Sequence, residues 1–504
     1  MIGGRLRAVA ARYPEAPALA YDSRRLSYAE LNERACRAAN GLQALGIGSG
    51  SRVAVLLHNC NAFVELFFAA AKLGAVFVPF NFRLVSREIG ELLDACMPHA
   101  LFAAPEFNEV LKALETRPSF PAHRLVVDER YEAWLAAQPA DEPDVPVALD
   151  DLLMLLHSSG TTGLPKGAMF THGTALFSSM AKTIDFALTP RDACVVFGPL
   201  FHVGPLMDLA LPLLLLGGKL VIGASGHFDA ERLLGTIARE RATVVPVYPA
   251  MLRRLLAVRE IDGYDLASWR LLITGGEPVP IPVLRGMYER LPEVGLVNNY
   301  GSTEGGPITT FLDPADKLRK IGSVGKPAFG VEVRIAGEDG RELPPGRVGE
   351  LWVRSPFVCR GYWNRPDLTA ASLREGWWHT GDLGWRDQDG FIWISGRLKD
   401  MIKSGTENIY PVEVEQVIAS LEGVAETAVV GIPDEQWGEA VAAFVVRTPG
   451  SSLDAATVID HCRQQLAGYK KPRHVVFVDS LPRNTTNKVS KAALRAALPI
   501  LRPS

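Results

Sequence analysis

The run Ser158-Ser159-Gly160-Thr161-Thr162-Gly163-Leu164-Pro165-Lys166-Gly167 concentrates glycine, hydroxyl side chains and one lysine in a single short stretch. Glycine has no Cβ, so backbone N–H groups can approach an anion closely there, and the hydroxyls and the Lys166 ammonium add donors around the same volume. A polyphosphate needs that density of donors. The pattern G-x-x-x-x-G-K-[ST] is absent, because Lys166 follows Pro165 and precedes Gly167. On composition alone a hydroxyl-rich surface loop without a ligand remains open, and it is the commoner fate of such a run.

The apolar run Leu152–Leu156 just before it predicts a strand that feeds the loop. Upstream, Arg52–Leu57, Ala62–Lys72 and Gly74–Pro79 read as strand, amphipathic helix and strand. Ala193–Phe197, Lys219–Ile222, Thr243–Val247 and Arg270–Thr274 are further short apolar strands, each ended by glycine or proline. That alternation predicts layered α/β subdomains with partly parallel sheets. Order weakens between Ala100 and Asp151, and Gln138–Pro146 reads as a surface connection. From Val331 to Trp385 short alternating strands with turn signals predict a β-rich subdomain, and a turn-rich boundary lies near Gly390–Gly396.

After residue 396 the pattern predicts a small α+β unit. Pro411 opens a helix with Val414, Val417, Ile418 and Leu421 on one face, and strands follow at Ala428–Ile432 and Ala440–Arg447. A helix over Ala455–Ala467, a strand over His474–Asp479 and a last helix over Ser490–Ala497 complete it. The expected division is a large domain over 1–396 and a small one over 397–504, in keeping with 504 residues and cores that rarely grow past roughly 300.

Balanced charge, 53 basic against 56 acidic side chains, leaves no broad positive field for nucleic acid. The N-terminus has no apolar core of signal-peptide length, and the apolar stretch Val203–Gly217 is broken by Asp208 and Pro212, so it reads as a buried helix rather than a transmembrane segment. Six scattered cysteines lack metal-ligand spacing, which points to a reduced, cytoplasmic setting.

Taken with the motifs that follow it in order, the loop resembles the phosphate loop of the AMP-forming acyl-CoA synthetases, adenylation domains and luciferases. Those motifs are Pro199-Leu200-Phe201-His202, Gly275-Gly276-Glu277, Asn299-Tyr300-Gly301-Ser302-Thr303-Glu304, Trp378-His379-Thr380-Gly381-Asp382, Gly396-Arg397-Leu398-Lys399-Asp400 and Pro482-Arg483-Asn484 through Lys488. The resemblance implies an ATP-dependent enzyme that joins a carboxylic acid to AMP and then to a thiol, usually that of CoA. It implies that Ser158, Ser159, Gly160, Thr161, Thr162, Gly163 and Lys166 grip the β- and γ-phosphates. Gly275, Gly276, Glu277, Asn299, Tyr300 and Gly301 would line the adenine side, Thr303 would reach the α-phosphate, and Glu304 would hold Mg²⁺. Asp382 and Arg397 would hold the ribose, and Lys488 would supply the charge at the reacting oxygens. Lys399 would be the hinge, and Ser404 and Gly405 would face the thiol channel after the small domain turns.

Two positions depart from the family pattern. Asn487 and Thr406 stand where glycine is usual, the first beside Lys488 and the second beside the expected thiol channel. His202 opens the segment that in this family lines the acyl pocket, followed by Val203, Gly204, Pro205 and Met207, where an imidazole orients the carboxylate or packs in the loop. No arginine lies between Phe201 and Leu216 to pair a second carboxylate, which favours a monocarboxylic acid, either a medium or long fatty acid or an aryl acid. Alternatives are a free-standing adenylation enzyme that loads a carrier protein, and a non-catalytic nucleotide or acyl sensor. Oligomeric state is not legible.

Overall fold

The computed structural model describes residues 1–158, 166–226, 228–405, 407–484 and 488–501. Their strands form four sheets. In the first, Gly295–Ser302, Leu271–Gly275, Val244–Pro246, Ala193–Val196, Lys219–Ile222 and Pro17–Tyr21 run parallel, and antiparallel strands close both edges. In the second, His123–Val126, Ala100–Ala103, Arg52–Leu56, Val76–Pro79 and Leu152–Ser158 are parallel, and Lys166–Thr171 returns antiparallel beside the last. The stretch after Ala100 is therefore more regular than its sequence pattern predicts. Its two strands are only four residues each, too short to carry a periodic signal.

The helices Asn61–Leu73 and Tyr28–Ala44 pack together, the former against Val76–Pro79 of the second sheet and the latter against Pro17–Tyr21 and Arg24–Ser27 of the first, and the latter is started by a capping box between Ser27 and Glu30. Phe63, Phe67, Phe68 and Phe77 are among the largest side chains of a core that both sheets share. A separate core covers the other face of the first sheet, beneath helices Ala230–Glu240, Pro249–Leu256 and Ile281–Arg290.

The expected buried helix over Val203–Gly217 is buried, but it opens differently. Pro205–Ala210 is π-helical and Leu211–Leu216 is α-helical, with Leu211 N–H donating five residues back to the Leu206 carbonyl. Pro212 has no N–H, and its ring would clash with the Asp208 carbonyl in a regular α-turn. The wider turn avoids that clash.

Glu332–Ala336, Gly349–Arg354, Leu373–Arg374, Trp377–Arg386 and Ile392–Arg397 make the third, antiparallel sheet. The fourth comprises Ile402–Ser404, Glu407–Ile409, Val424–Asp434, Gly438–Arg447 and His474–Phe477. It has its own two cores, because alternate side chains of a strand point to opposite faces. Val429, Val441, Ala443 and Val445 meet Val414, Ile418, Val458 and Cys462, whereas Val430, Ala442 and Phe444 meet Leu481 and Leu494. The α/β layers, the β-rich sheet and the small α+β C-terminal part match the fold class expected from the sequence. Among the described residues no helix is long and apolar enough to cross a membrane.

Candidate functional site

The carboxyl ends of the parallel strands in the first sheet open onto a cleft, the usual place for a ligand in such sheets. Gly275 and Gly276 end one strand, and Asn299, Tyr300 and Gly301 lie near the end of its neighbour. The Asn299 amide donates to the Thr274 carbonyl at 2.8 Å, tying the two strand ends together. Gly301 permits the tight return that follows, since a Cβ there would lie 2.2 Å from the Pro307 carbonyl oxygen.

Asp382 and Arg397 are direct cross-strand partners in the third sheet. Arg397 Nε lies 3.0 Å from Asp382 Oδ1, and the Tyr300 hydroxyl donates to Oδ2 at 2.7 Å from the first sheet. Asp382 is thus a strand residue gripped from two sheets. Burial raises its carboxyl above the usual range, against the pull of Arg397, the Tyr300 hydrogen bond and Lys488. The same Asp382 charge holds Arg397 above its ordinary value.

Glu304 follows Thr303 in the turn after Tyr300. Its Oε1 accepts from the Tyr362 hydroxyl at 3.0 Å, and its carbonyl accepts from Cys359 N–H at 2.9 Å. Lys166 sits 5.6 Å over the Tyr362 ring. Tyr362 is a site residue that sequence reasoning missed. It belongs to a segment that docks on the strand leaving the phosphate loop, with Arg360 N–H bonded to the Met169 carbonyl and Trp363 N–H to that of Gly167. The only local signal was a glycine, Gly361, before two aromatics.

Lys488 stands in the mouth of the same cleft. It is accessible to water, yet the cleft walls desolvate it and, with nearby Arg397, hold its ammonium below the usual lysine range against Glu277, Asp382 and Glu304. The small C-terminal part is docked so that this lysine faces the large one. Glu426 is the clasp: it accepts from Arg253 of the large part at 2.8 Å and from Arg483 at 2.9 and 3.0 Å. Gln416 adds bonds to Ile281 N–H and the Val279 carbonyl, beside Glu277. Burial raises the Glu277 carboxyl, and Lys488, Arg483 and Arg253 oppose that rise.

The His202 ring lies against that of Phe201, tilted by 45° with centroids 4.3 Å apart. Burial brings its imidazole down to about 3, with Arg83 and Lys488 adding to the effect, so the ring is neutral at neutral pH. Arg83, 6.0 Å over the Phe201 ring, is a cation the segment after Phe201 did not reveal because it comes from another loop.

Lys399 lies on the exposed 3₁₀ turn Leu398–Asp400 between the third and fourth sheets. Ser404 and Gly405 are not brought to the cleft. Ser404 pairs with Gly438, and Gly405 N–H donates to the Trp437 carbonyl at 2.7 Å. Ser159, Gly160, Thr161, Thr162 and Gly163, with Thr406 and Asn487, lie outside the described residues, as does the Ser158 side chain.

Residues 6–363 match the family model for an AMP-binding enzyme, and residues 413–488 match the model for the AMP-binding enzyme C-terminal domain. The chain belongs to the AMP-binding enzyme family. The resemblance expected from its motifs therefore holds, and with it the class of AMP-forming ligases. Among relatives of this AMP-binding enzyme, a feruloyl-CoA synthase of an Amycolatopsis species is 41% identical over 482 residues, covering 96% of each chain. A long-chain-fatty-acid–CoA ligase of Mycobacterium tuberculosis is 38% identical over 476 residues, 94% of this chain and 93% of that protein. The crystal structure of an anthranilate CoA ligase in complex with anthranoyl-AMP superposes with a TM-score of 0.93 at 27% identity, covering 98% of this chain and 96% of that one.

Proposed function

We propose that this enzyme activates a monocarboxylic acid as its acyl-adenylate with ATP and transfers the acyl group to the thiol of CoA. The observation that carries the proposal is the meeting of Lys488 with Asp382, Arg397, Glu304 and Glu277 in one cleft, although the chain separates them widely. In the first half-reaction a carboxylate oxygen bonds to the α-phosphorus as the bond to the β-phosphate bridging oxygen breaks, and pyrophosphate leaves. In the second the CoA sulfur bonds to the acyl carbonyl, AMP leaves with the electron pair of the C–O bond, and the thiol proton is lost.

Both steps develop negative charge on oxygen, so positioned cations and donors supply the catalysis. Asp382 accepts from the ribose hydroxyls, and Arg397 and Tyr300 fix its orientation. Gly276, Asn299 and Gly301 shape the adenine wall, the run from Ser158 to Lys166 holds the leaving phosphates, and Thr303 and Lys488 reach the α-phosphate. His202, kept neutral, offers the substrate carboxylate a hydrogen bond rather than a charge.

A magnesium ion suits this cleft if the phosphates carry most of its coordination. Among the described residues no three metal-ligating side chains cluster, so Glu304, kept in place by Tyr362, would hold a Mg²⁺ that retains several waters. The ion would neutralise phosphate charge.

The division at residues 396/397, with Lys399 as hinge, belongs to the same proposal. Turning the small domain after adenylation withdraws Lys488 and brings Ser404 and Gly405 to the thiol channel. The Glu426 clasp then holds only the adenylating arrangement. Glu426→Gln should slow pyrophosphate release by a factor of about 3–10, as expected for loss of a partly exposed charge network. Thioester formation from a supplied acyl-adenylate should not slow, and equal slowing of both half-reactions would contradict the clasp.

The substrate is an aryl acid or a medium- or long-chain fatty acid. The deciding experiment supplies purified protein with ATP, Mg²⁺, CoA and a panel of both classes, and follows AMP and thioester. Adenylate without thioester would refute CoA as acceptor and point to a carrier protein.

A further inference from the structure

The helix His172–Asp185 is buried on one side and open to water on the other, yet its polarity is inverted. On the buried side, where it packs against the π-helix Pro205–Ala210 and the helix Leu211–Leu216, it carries Lys182. That ammonium donates to Ser178 Oγ at 2.8 Å and lies 4.6 Å over the Phe357 ring. On the open side it carries Phe177, Met180 and Ile184, which are 43%, 48% and 53% exposed. A surface helix ordinarily turns its apolar stripe to the core and its charges to water. Here the core side holds an ammonium and none of the exposed positions is charged.

Phe177, Met180 and Ile184 are spaced i, i+3 and i+7, so they form one ridge along the helix. The ridge continues past both ends. A Cβ on Gly173, one turn before Phe177, would lie 3.6 Å from Leu149 Cβ, which sets Leu149, 41% exposed, on the same side. At the other end Phe329, 55% exposed, donates its N–H to the Asp185 carboxylate at 3.0 Å. Five of the twelve large hydrophobic side chains exposed among the described residues therefore gather on this one ridge. Singly scattered exposed side chains need no explanation, but a contiguous apolar patch marks an interaction site.

We propose that the ridge packs against the same ridge of a second copy of this chain, across a two-fold axis near Met180. The spacing is that of the seam between two packed helices, and an uncharged ridge is self-complementary, because pairing it with itself buries no charge. The helices then run antiparallel: Met180 meets its own counterpart, Phe177 meets Ile184 of the second copy, and Leu149 meets Phe329. The area suits this occupant. Taking about 200 Å² for a large side chain in full, the five present roughly 400–500 Å². One side of a standard interface buries about 800 Å², of which about three-fifths is apolar. A bilayer suits the ridge less well, since interfacial helices border their apolar face with lysine and arginine. The charges fixed at the ends of this ridge are Asp185 and the Arg360–Asp150 ion pair, which together are net negative.

Sedimentation of the purified chain is the test. The wild type should run as a dimer of 54.7 kDa chains down to about 1 µM, within the range that interfaces of this size reach. Lysine and glutamate suit a helix about as well as methionine, so Met180→Lys and Met180→Glu should keep the wild-type circular dichroism. Each should raise the dimer dissociation constant by about a hundredfold or more, because like charges then meet across the axis. An equal mixture of the two should dimerise again, since each copy offers the other an opposite charge. Should a charged variant unfold, Met180→Gln keeps the size of the side chain and should still weaken the dimer by about tenfold. A wild type that stays monomeric at every concentration overturns the proposal, and flotation of that monomer with phosphatidylglycerol vesicles would assign the ridge to a membrane instead. A dimer that every variant leaves unchanged, or folded Met180→Lys and Met180→Glu proteins that remain monomeric when mixed, overturns it as well.

Discussion

Lys488→Ala should reduce pyrophosphate release from ATP and acid by about 10²–10³-fold, the cost of removing one positioned donor from a developing oxyanion. The protein should still convert a supplied acyl-adenylate to thioester at nearly the wild-type rate. The asymmetry follows from where the lysine is anchored. It belongs to the small C-terminal part, reaches the cleft only through the docked arrangement clasped by Glu426, and faces Asp382, Glu304 and Glu277 from there. The desolvation that holds its ammonium below the usual lysine range also strengthens its attraction to phosphate oxygens, because the cleft screens charge less than water does. Arginine at this position would be a poor substitute, since its planar fork cannot occupy the place of a compact charge on a flexible stem. Rates of the two half-reactions, measured separately on the same preparation, decide the matter. Equal loss in both would mean that Lys488 does not leave the site between them.

Sequence reading succeeds where a physical signal is local. Short apolar strands ended by glycine, such as Leu271–Gly275, declare themselves because both of their faces are buried. The small unit is legible for a similar reason: Pro411 starts a helix whose Val414 and Ile418 face one core, and Val429 and Val430 alternate between two. The pairing of Asp382 with Arg397 was accessible only through motif order, since the fourteen intervening residues give no hint that hairpin register sets them side by side. Contacts made by distant segments left no local trace. Tyr362 meets Glu304 across 58 positions and Glu426 meets Arg253 across 173, each through the docking of one element on another. The π-turn at Pro205–Ala210 was also unreadable, although Pro212 marks the place where a regular helix would clash. Asp208, on that turn, is buried.

Asp382→Ala tests the nucleotide half of the site. Asp382 is buried and joins two sheets, so its loss leaves the Tyr300 hydroxyl without its 2.7 Å acceptor and Arg397 without its counter-ion. An unsatisfied buried partner costs about 1–3 kcal/mol, and the melting temperature should fall accordingly. If Asp382 also accepts from the ribose, AMP affinity falls as well. A hydrogen bond to a charged group contributes about 1.5–3 kcal/mol, a factor of roughly 10–150 in Kd. Asp382→Asn separates the two effects. It keeps the shape and one acceptor oxygen, so it should restore most of the stability, while its amide nitrogen cannot accept a ribose hydroxyl proton and AMP affinity stays low. Calorimetric titration with AMP beside thermal unfolding reads both quantities. Weakened unfolding resistance with unchanged AMP affinity would confine Asp382 to bracing Tyr300 and Arg397, and the ribose would then have to be held by another group.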